Sequence, residues 1–175
     1  MDADFLKSAI AQFKVYKNLG EKTFAQLNDT QIAWKYNEES NSIVIIVNHL
    51  HGNMNSRWTD FLTTDGEKEW RKRDQEFENK LLDKSELIKI WEEGWKCLFD
   101  TLESLNNSDL NKTVLIRNQK LSVLDAILRQ LAHYSYHVGQ IVFIGKMICY
   151  DGWESLSIPK GKSQNYNDTL SFKKE

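Results

Sequence analysis

A single proline, Pro159, stands among 175 residues, and only 8 are glycine. Ahead of that proline almost nothing removes a backbone donor or forces a turn, so long helices are allowed. The apolar residues use that freedom. Ile43, Val47, Leu50, Met54, Trp58 and Phe61 step by three and four, as do Ile88, Trp91, Trp95, Leu98, Leu102 and Leu105. Such stepping lays one apolar stripe along a helix of 3.6 residues per turn. Four segments of this kind predict an all-α chain, a four-helix bundle forming one domain over residues 1–175.

The first helix is expected from about Asp2 to Leu27, capped by Asp2 or Asp4, with a kink or break allowed at Gly20. Trp34 and Tyr36 are expected to plug one end of the core. After a polar turn at Asn37–Asn41, the second helix is capped by Ser40 or Asn41 and runs to about Leu62. A connection of nearly twenty residues follows, long for a bundle, with a turn at Asp65-Gly66. Its Trp70 and Phe77 suggest that it packs down. Asp83 and Glu86 form a capping-box pattern opening the third helix, which ends at Asn106–Asp109. Thr113–Arg117 with Asn118–Lys120 reads as a short extended segment or hairpin. Ser122 and Asp125 open the fourth helix, whose main apolar row is Leu124, Leu128, Leu131, Val138 and Val142. From Cys149 onward an irregular, polar tail is expected.

Composition narrows the class. Apolar residues make up 41% and charged residues 27%, with a net charge of −2. These values suit a globular protein and leave no overall footprint for nucleic acid. The longest apolar run, Ile43–Val47, cannot span a bilayer, and the acidic Met1–Asp4 start leads to the expectation of no secretion signal. Cys97 and Cys149 read as reduced thiols, so a cytoplasmic location is expected.

The chemistry centres on His133-Tyr134-Ser135-Tyr136-His137. Residues four apart are neighbours on a helix, so both imidazoles can approach one metal ion. The spacing is that of H-E-x-x-H metalloproteases, but Tyr134 stands where their general base belongs. His49 is the preferred third ligand, because His51 lies about 200° further around the second helix. Three neutral imidazoles and one open position make a recurring catalytic arrangement. The rival reading leaves His133 and His137 partly exposed or bonded to neighbouring Tyr and Gln, without metal. Gln130, Gln140 and Asn53 are candidates for supporting the ligands or touching substrate.

These residues carry a resemblance. His49 with His133 and His137 resembles the DinB-like superfamily of four-helix-bundle metalloproteins, which includes bacterial thiol S-transferases such as bacillithiol transferases. One branch is similar through Asn48-His49-Leu50, Gly52-Asn53, Ser56–Thr63, Asp65-Gly66-Glu67 and Arg71–Phe77. The likeness continues through His133-Tyr134, His137–Ile141 and Leu156–Gly161, and so spans nearly the whole chain. It implies a metal triad at His49, His133 and His137, a divalent ion such as zinc or nickel, and a homodimer.

Thiol activation suits an open three-histidine cation, because coordination deprotonates a thiol whose pKa is near 8.5. The expected reaction is conjugation of a low-molecular-weight thiol to an electrophile. The alternatives are hydrolysis by water activated on the metal and a non-catalytic metal-binding stress or interaction protein. Arg57, two turns beyond His49, is a candidate anchor for a substrate carboxylate, with pairing to Asp60, Asp65 or Glu67 as its structural alternative. Gln140 is a candidate substrate contact. Lys160, with Lys162, is expected to close over the same mouth.

Overall fold

The computed structural model describes residues 4–78 and 83–169. Helix α1 spans Phe5–Ala25, with the Asp4 carboxylate accepting from the Lys7 amide at 3.1 Å. Asp2, the other expected cap, lies outside the described residues. The helix runs unbroken through Gly20, where a kink was allowed. A Cβ at that position would lie 2.4 Å from the Trp91 ring, so the bare backbone is what admits the indole. That packing offsets the roughly 1 kcal/mol glycine costs in a helix.

A single capped turn, α2 (Asp29–Ile32), follows and buries Ile32 completely. Trp34 and Tyr36 do not plug the core as expected. Tyr36 is 75% exposed, and the two rings meet edge-on at the surface. Ile32, turned inward by the Asn28–Gln31 capping box, occupies the place instead.

Helix α3 (Ile43–Trp58) is capped by Ser42, two residues later than the first expected cap, and ends four residues before Leu62. Its end is closed by Thr101, whose hydroxyl donates to the Trp58 carbonyl at 2.9 Å. Phe61 is still buried, packed on Trp58 after the chain has left the helix. Every residue from Ile43 to Leu50 is buried, all the way round the helix. One stripe faces the bundle; the remainder is covered by the connection that follows, which places a 3-10 turn at Arg73–Phe77 against α3.

Helix α4 (Lys84–Ser104) has the expected capping box from Asp83 and Glu86. Its buried row is Leu87, Trp91, Trp95, Leu98 and Leu102, while Ile88, expected in that row, is 40% exposed. Thr113–Ile116 (β1) and Gln119–Ser122 (β2) form an antiparallel hairpin. Its two-residue turn places Arg117 and Asn118 at φ 54° and 61°, the primed geometry that matches strand twist. The Asp65 carboxylate accepts from the amides of Arg117 (2.8 Å), Asn118 (2.7 Å) and Glu67 (2.7 Å). Burial alone would raise the Asp65 carboxyl, but these donors outweigh it and hold the group below its ordinary range. The long connection is thereby tied to the hairpin.

Helix α5 (Val123–Cys149) is capped by Ser122. Its buried face follows the expected apolar row only in part: Val138 is buried and Leu124, Leu131 and Val142 are half-buried, but Leu128 is 44% exposed, and the face runs through Ile127, Tyr134, Val138 and Ile141. Gln130, Tyr134 and His137 occupy buried positions on it, and counting apolar residues alone displaced the row. The tail is clamped to α1 by paired bonds between Gln26 and Glu154 (2.7 and 3.1 Å). It then forms a short exposed helix, α6 (Ser163–Thr169), where irregular chain was expected.

The long helices make an all-α bundle in which α1 packs beside α4 and α5, and α3 beside the same two. The hairpin leads directly into α5. Among the described residues no helix is long and apolar enough to cross a membrane.

Candidate metal centre

Helix α3 carries His49 and the adjacent α5 carries His133 and His137, on the faces the two helices turn toward each other. The three side chains each offer a ring nitrogen, all within 4.8 Å of one another. His49 Nε2 and His133 Nε2 are 3.4 Å apart. Two nitrogens bound at about 2.0–2.1 Å to a tetrahedral ion stand about 3.3 Å apart, so this pair already has the spacing of ligands. His51 is not part of the cluster; its Nε2 lies 3.4 Å from Glu93.

The outer nitrogens are held by acceptors. His49 Nδ1 is 2.9 Å from Glu76 Oε2, and His137 Nδ1 is 3.0 Å from Gln140 Oε1. An acceptor at Nδ1 places the proton of a neutral ring there and leaves Nε2 as a lone pair. His137 Nε2 is buried with no hydrogen-bond partner. Inward-facing lone pairs in a desolvated site repel unless a cation lies among them, so the donor set fits a divalent ion. Burial pushes His133 down to about 3, reinforced by His137 and His49. His137 falls to about 4 for the same leading reason, although its bond to Gln140 opposes the shift. Both therefore stay in the ligating, unprotonated form at neutral pH.

The support for His49 comes from the long connection. Arg71 donates from Nε to Glu76 Oε1 (2.7 Å) and from Nη2 to Oε2 (2.9 Å), a two-pronged pair. Burial would raise the Glu76 carboxyl, but the bonds from Arg71 and His49 prevail and hold it low. Asn48 donates to the Glu76 carbonyl at 2.9 Å, and Phe77 packs on the His49 ring with centroids 4.9 Å apart. Gly52 makes room, since a Cβ there would sit 2.2 Å from Glu76 Oε1. Residue-by-residue reading missed Glu76 and Arg71. Their signals were the length of the connection and the likeness over Arg71–Phe77. Trp70, expected to pack down with Phe77, is 56% exposed.

Tyr134 does not take over the missing base. Its ring is fully buried, its hydroxyl accepts from Trp58 Nε1 (3.0 Å) and donates to Asn53 Oδ1 (2.9 Å), and burial raises its pKa. Asn53 is in this way tied into the wall of the site. Tyr136, 53% exposed, lies beside His137 with centroids 4.1 Å apart.

The histidines open onto a cavity of about 450 Å³. Arg57 and Gln140 also line it, whereas Lys160 is exposed in the tail and does not. Arg57 is buried, with Nη2 3.9 Å from Glu67 and with Nε and Nη1 lacking partners. Of the three carboxylates weighed as its partner, Glu67 is the one that makes the contact.

Among curated proteins none matches this chain. The family described as "Protein of unknown function (DUF1572)", a DinB-like family, matches residues 1–162. With nearly its whole length covered by that match, and with the all-α bundle just described, the chain belongs to the DUF1572 family.

Proposed function

We propose that the protein is a metal-dependent thiol S-transferase, with zinc or nickel held by His49, His133 and His137. One observation carries the reading: three imidazoles converge at a cavity with the buried Nε2 of His137 left unpartnered. A divalent ion bound there supplies Lewis acidity that makes a thiol a thiolate near neutral pH. The chain's own contribution is positioning. Glu76 and Gln140 hold two rings by their Nδ1 atoms, and Phe77 and Tyr136 flank them.

The cavity wall favours transfer over hydrolysis. Among the described residues no aspartate or glutamate lines it, and Tyr134 is buried and already bonded. A hydrolase would find no carboxylate base there to move a proton from water. In the proposed conjugation the thiolate sulfur forms a bond to carbon as a leaving group such as chloride departs, and the thiol proton passes to solvent.

The test is a screen of zinc- or nickel-loaded protein with low-molecular-weight thiols and chloro-dinitrobenzene, followed by absorbance. Turnover above the uncatalysed rate is expected, falling at least 100-fold in His137→Ala. Ester hydrolysis by the loaded protein without any thiol conjugation would replace this reading with the hydrolase one. A tightly held ion with neither activity would leave a binding protein.

Assembly as a homodimer belongs to the same proposal. The last turns of α5 expose Phe143 (67%) and Met147 (44%), and Tyr150 (81%) follows just past the helix end, together an apolar face that a second copy would cover. Sedimentation at micromolar concentration is expected to give a dimer, and Phe143→Glu a monomer. A monomeric wild-type chain would contradict it.

A further inference from the structure

The wall of the cavity carries an imbalance of charge. Five guanidinium groups line it, those of Arg57, Arg71, Arg73, Arg117 and Arg129. Three carboxylates reach them. Glu67 is shared by three arginines, at 3.9 Å from Arg57, 3.3 Å from Arg71 and 3.2 Å from Arg117. Glu76 is committed to Arg71 and His49. Asp74 is fully solvated and comes no nearer than 3.9 Å to Arg73. Arg129 has no ion pair among the described residues. At ion-pair distance five cations meet three carboxylates; the Asp65 carboxylate, committed to the Arg117 and Asn118 amides, also lies in reach of the Arg57 charge, so one to two positive charges are left over before any metal is counted.

Arg57 makes the surplus a feature of the interior. It is only 4% exposed, and among the described residues one long contact to a shared carboxylate is its sole ion pair. Burying a guanidinium with so little compensation is unfavourable unless an anion completes the arrangement. The fold also sets where the surplus lies. Arg129 is one turn before His133 on α5, Arg57 two turns beyond His49 on α3, and Arg117 is in the hairpin turn that leads into α5. At 1.5 Å per residue these offsets are about 6 Å and about 12 Å along the helices. The positive end of the cavity is therefore its hairpin end, separated from the histidines.

We propose that this end binds a small molecule carrying two negative charges as oxyanions, two carboxylates or a phosphate, with Arg57, Arg117 and Arg129 as its contacts. The inference deepens the transferase reading and rests on it for the ligand's role: the thiol substrate carries its oxyanions on the part of the molecule remote from its sulfur, toward the hairpin end of the cavity.

Binding is tested by calorimetric titration of metal-free protein, dialysed clear of chelator, with succinate, inorganic phosphate and neutral succinamide. At least one anion is expected to bind with Kd of about 1 mM or tighter, weakening steeply with added salt, while succinamide does not bind. Stronger binding of succinate would identify carboxylates as the ligand's anionic groups, and stronger binding of phosphate a phosphoryl group. Arg129→Gln is expected to loosen the preferred anion at least 10-fold and Arg129→Lys less. Arg117→Gln, in an exposed turn, provides a second variant that leaves the core untouched. Equal affinity for succinamide, unchanged affinity in both glutamine variants, or no binding of either anion at 10 mM would overturn the proposal. Because metal is absent throughout, failure here is distinct from failure of the metal site, which zinc titration reads separately.

Discussion

Replacing His133 and His137 together by alanine is expected to remove stoichiometric metal binding, from about one divalent ion per chain to less than a tenth. Elemental analysis after zinc or nickel loading measures it. The two rings supply two of the three converging nitrogens, and a lone His49 cannot hold an ion against water. The effect reaches stability as well. A ligand bound only by the folded chain adds roughly 4 kcal/mol at a thousandfold excess over its Kd, so the loaded wild type should gain a rise in Tm that the variant lacks. His51→Ala should leave both results intact, because that ring lies beside Glu93, away from the cluster. Equal occupancy in wild type and double variant would refute the site.

Glu76 is expected to give the second large effect. Its carboxylate is buried between Arg71 and His49, and both partners are themselves buried. Glu76→Ala removes the closest partner of the buried Arg71 guanidinium and leaves it only the shared Glu67 carboxylate at 3.3 Å, so a cost of about 3 kcal/mol, the low end for broken buried pairs, is expected. The connection over α3 should loosen with it, since Gly52 and Asn48 are shaped around this residue. Glu76→Gln separates structure from metal tuning. It keeps the volume but weakens the acceptor facing His49 Nδ1, so metal affinity should fall about 10–100-fold at a smaller cost in stability. Urea denaturation of metal-free protein and zinc titration read the two effects independently. A Glu76→Ala chain within 1 kcal/mol of wild type would show that the Arg71–Glu76 pair does not secure the connection.

Whatever depends on neighbours within one or two turns was written in the amino-acid order itself. The helix starts at Asp83 and Ser122, the stripe from Ile43 to Trp58 and the pairing of His133 with His137 are of this kind. Each follows from 3.6 residues per turn or from a side chain reaching an amide three positions on. The choice of His49 over His51 belongs here too, because rotation about a single helix decides it. Tertiary structure decided which face of α5 is buried, because Gln130, Tyr134 and His137 are interior groups whose place in the core no apolar pattern marks. It also decided the depth of the site. Glu76 and Arg71 arrive on a connection held by Asp65 to a hairpin some fifty residues away, and Arg117 arrives on that hairpin. Trp34 and Tyr36 went the other way, since Ile32 had already filled the end of the core. Helical periodicity is a short-range property of the backbone, whereas the resting place of a loop is set by distant partners that saturate its polar groups.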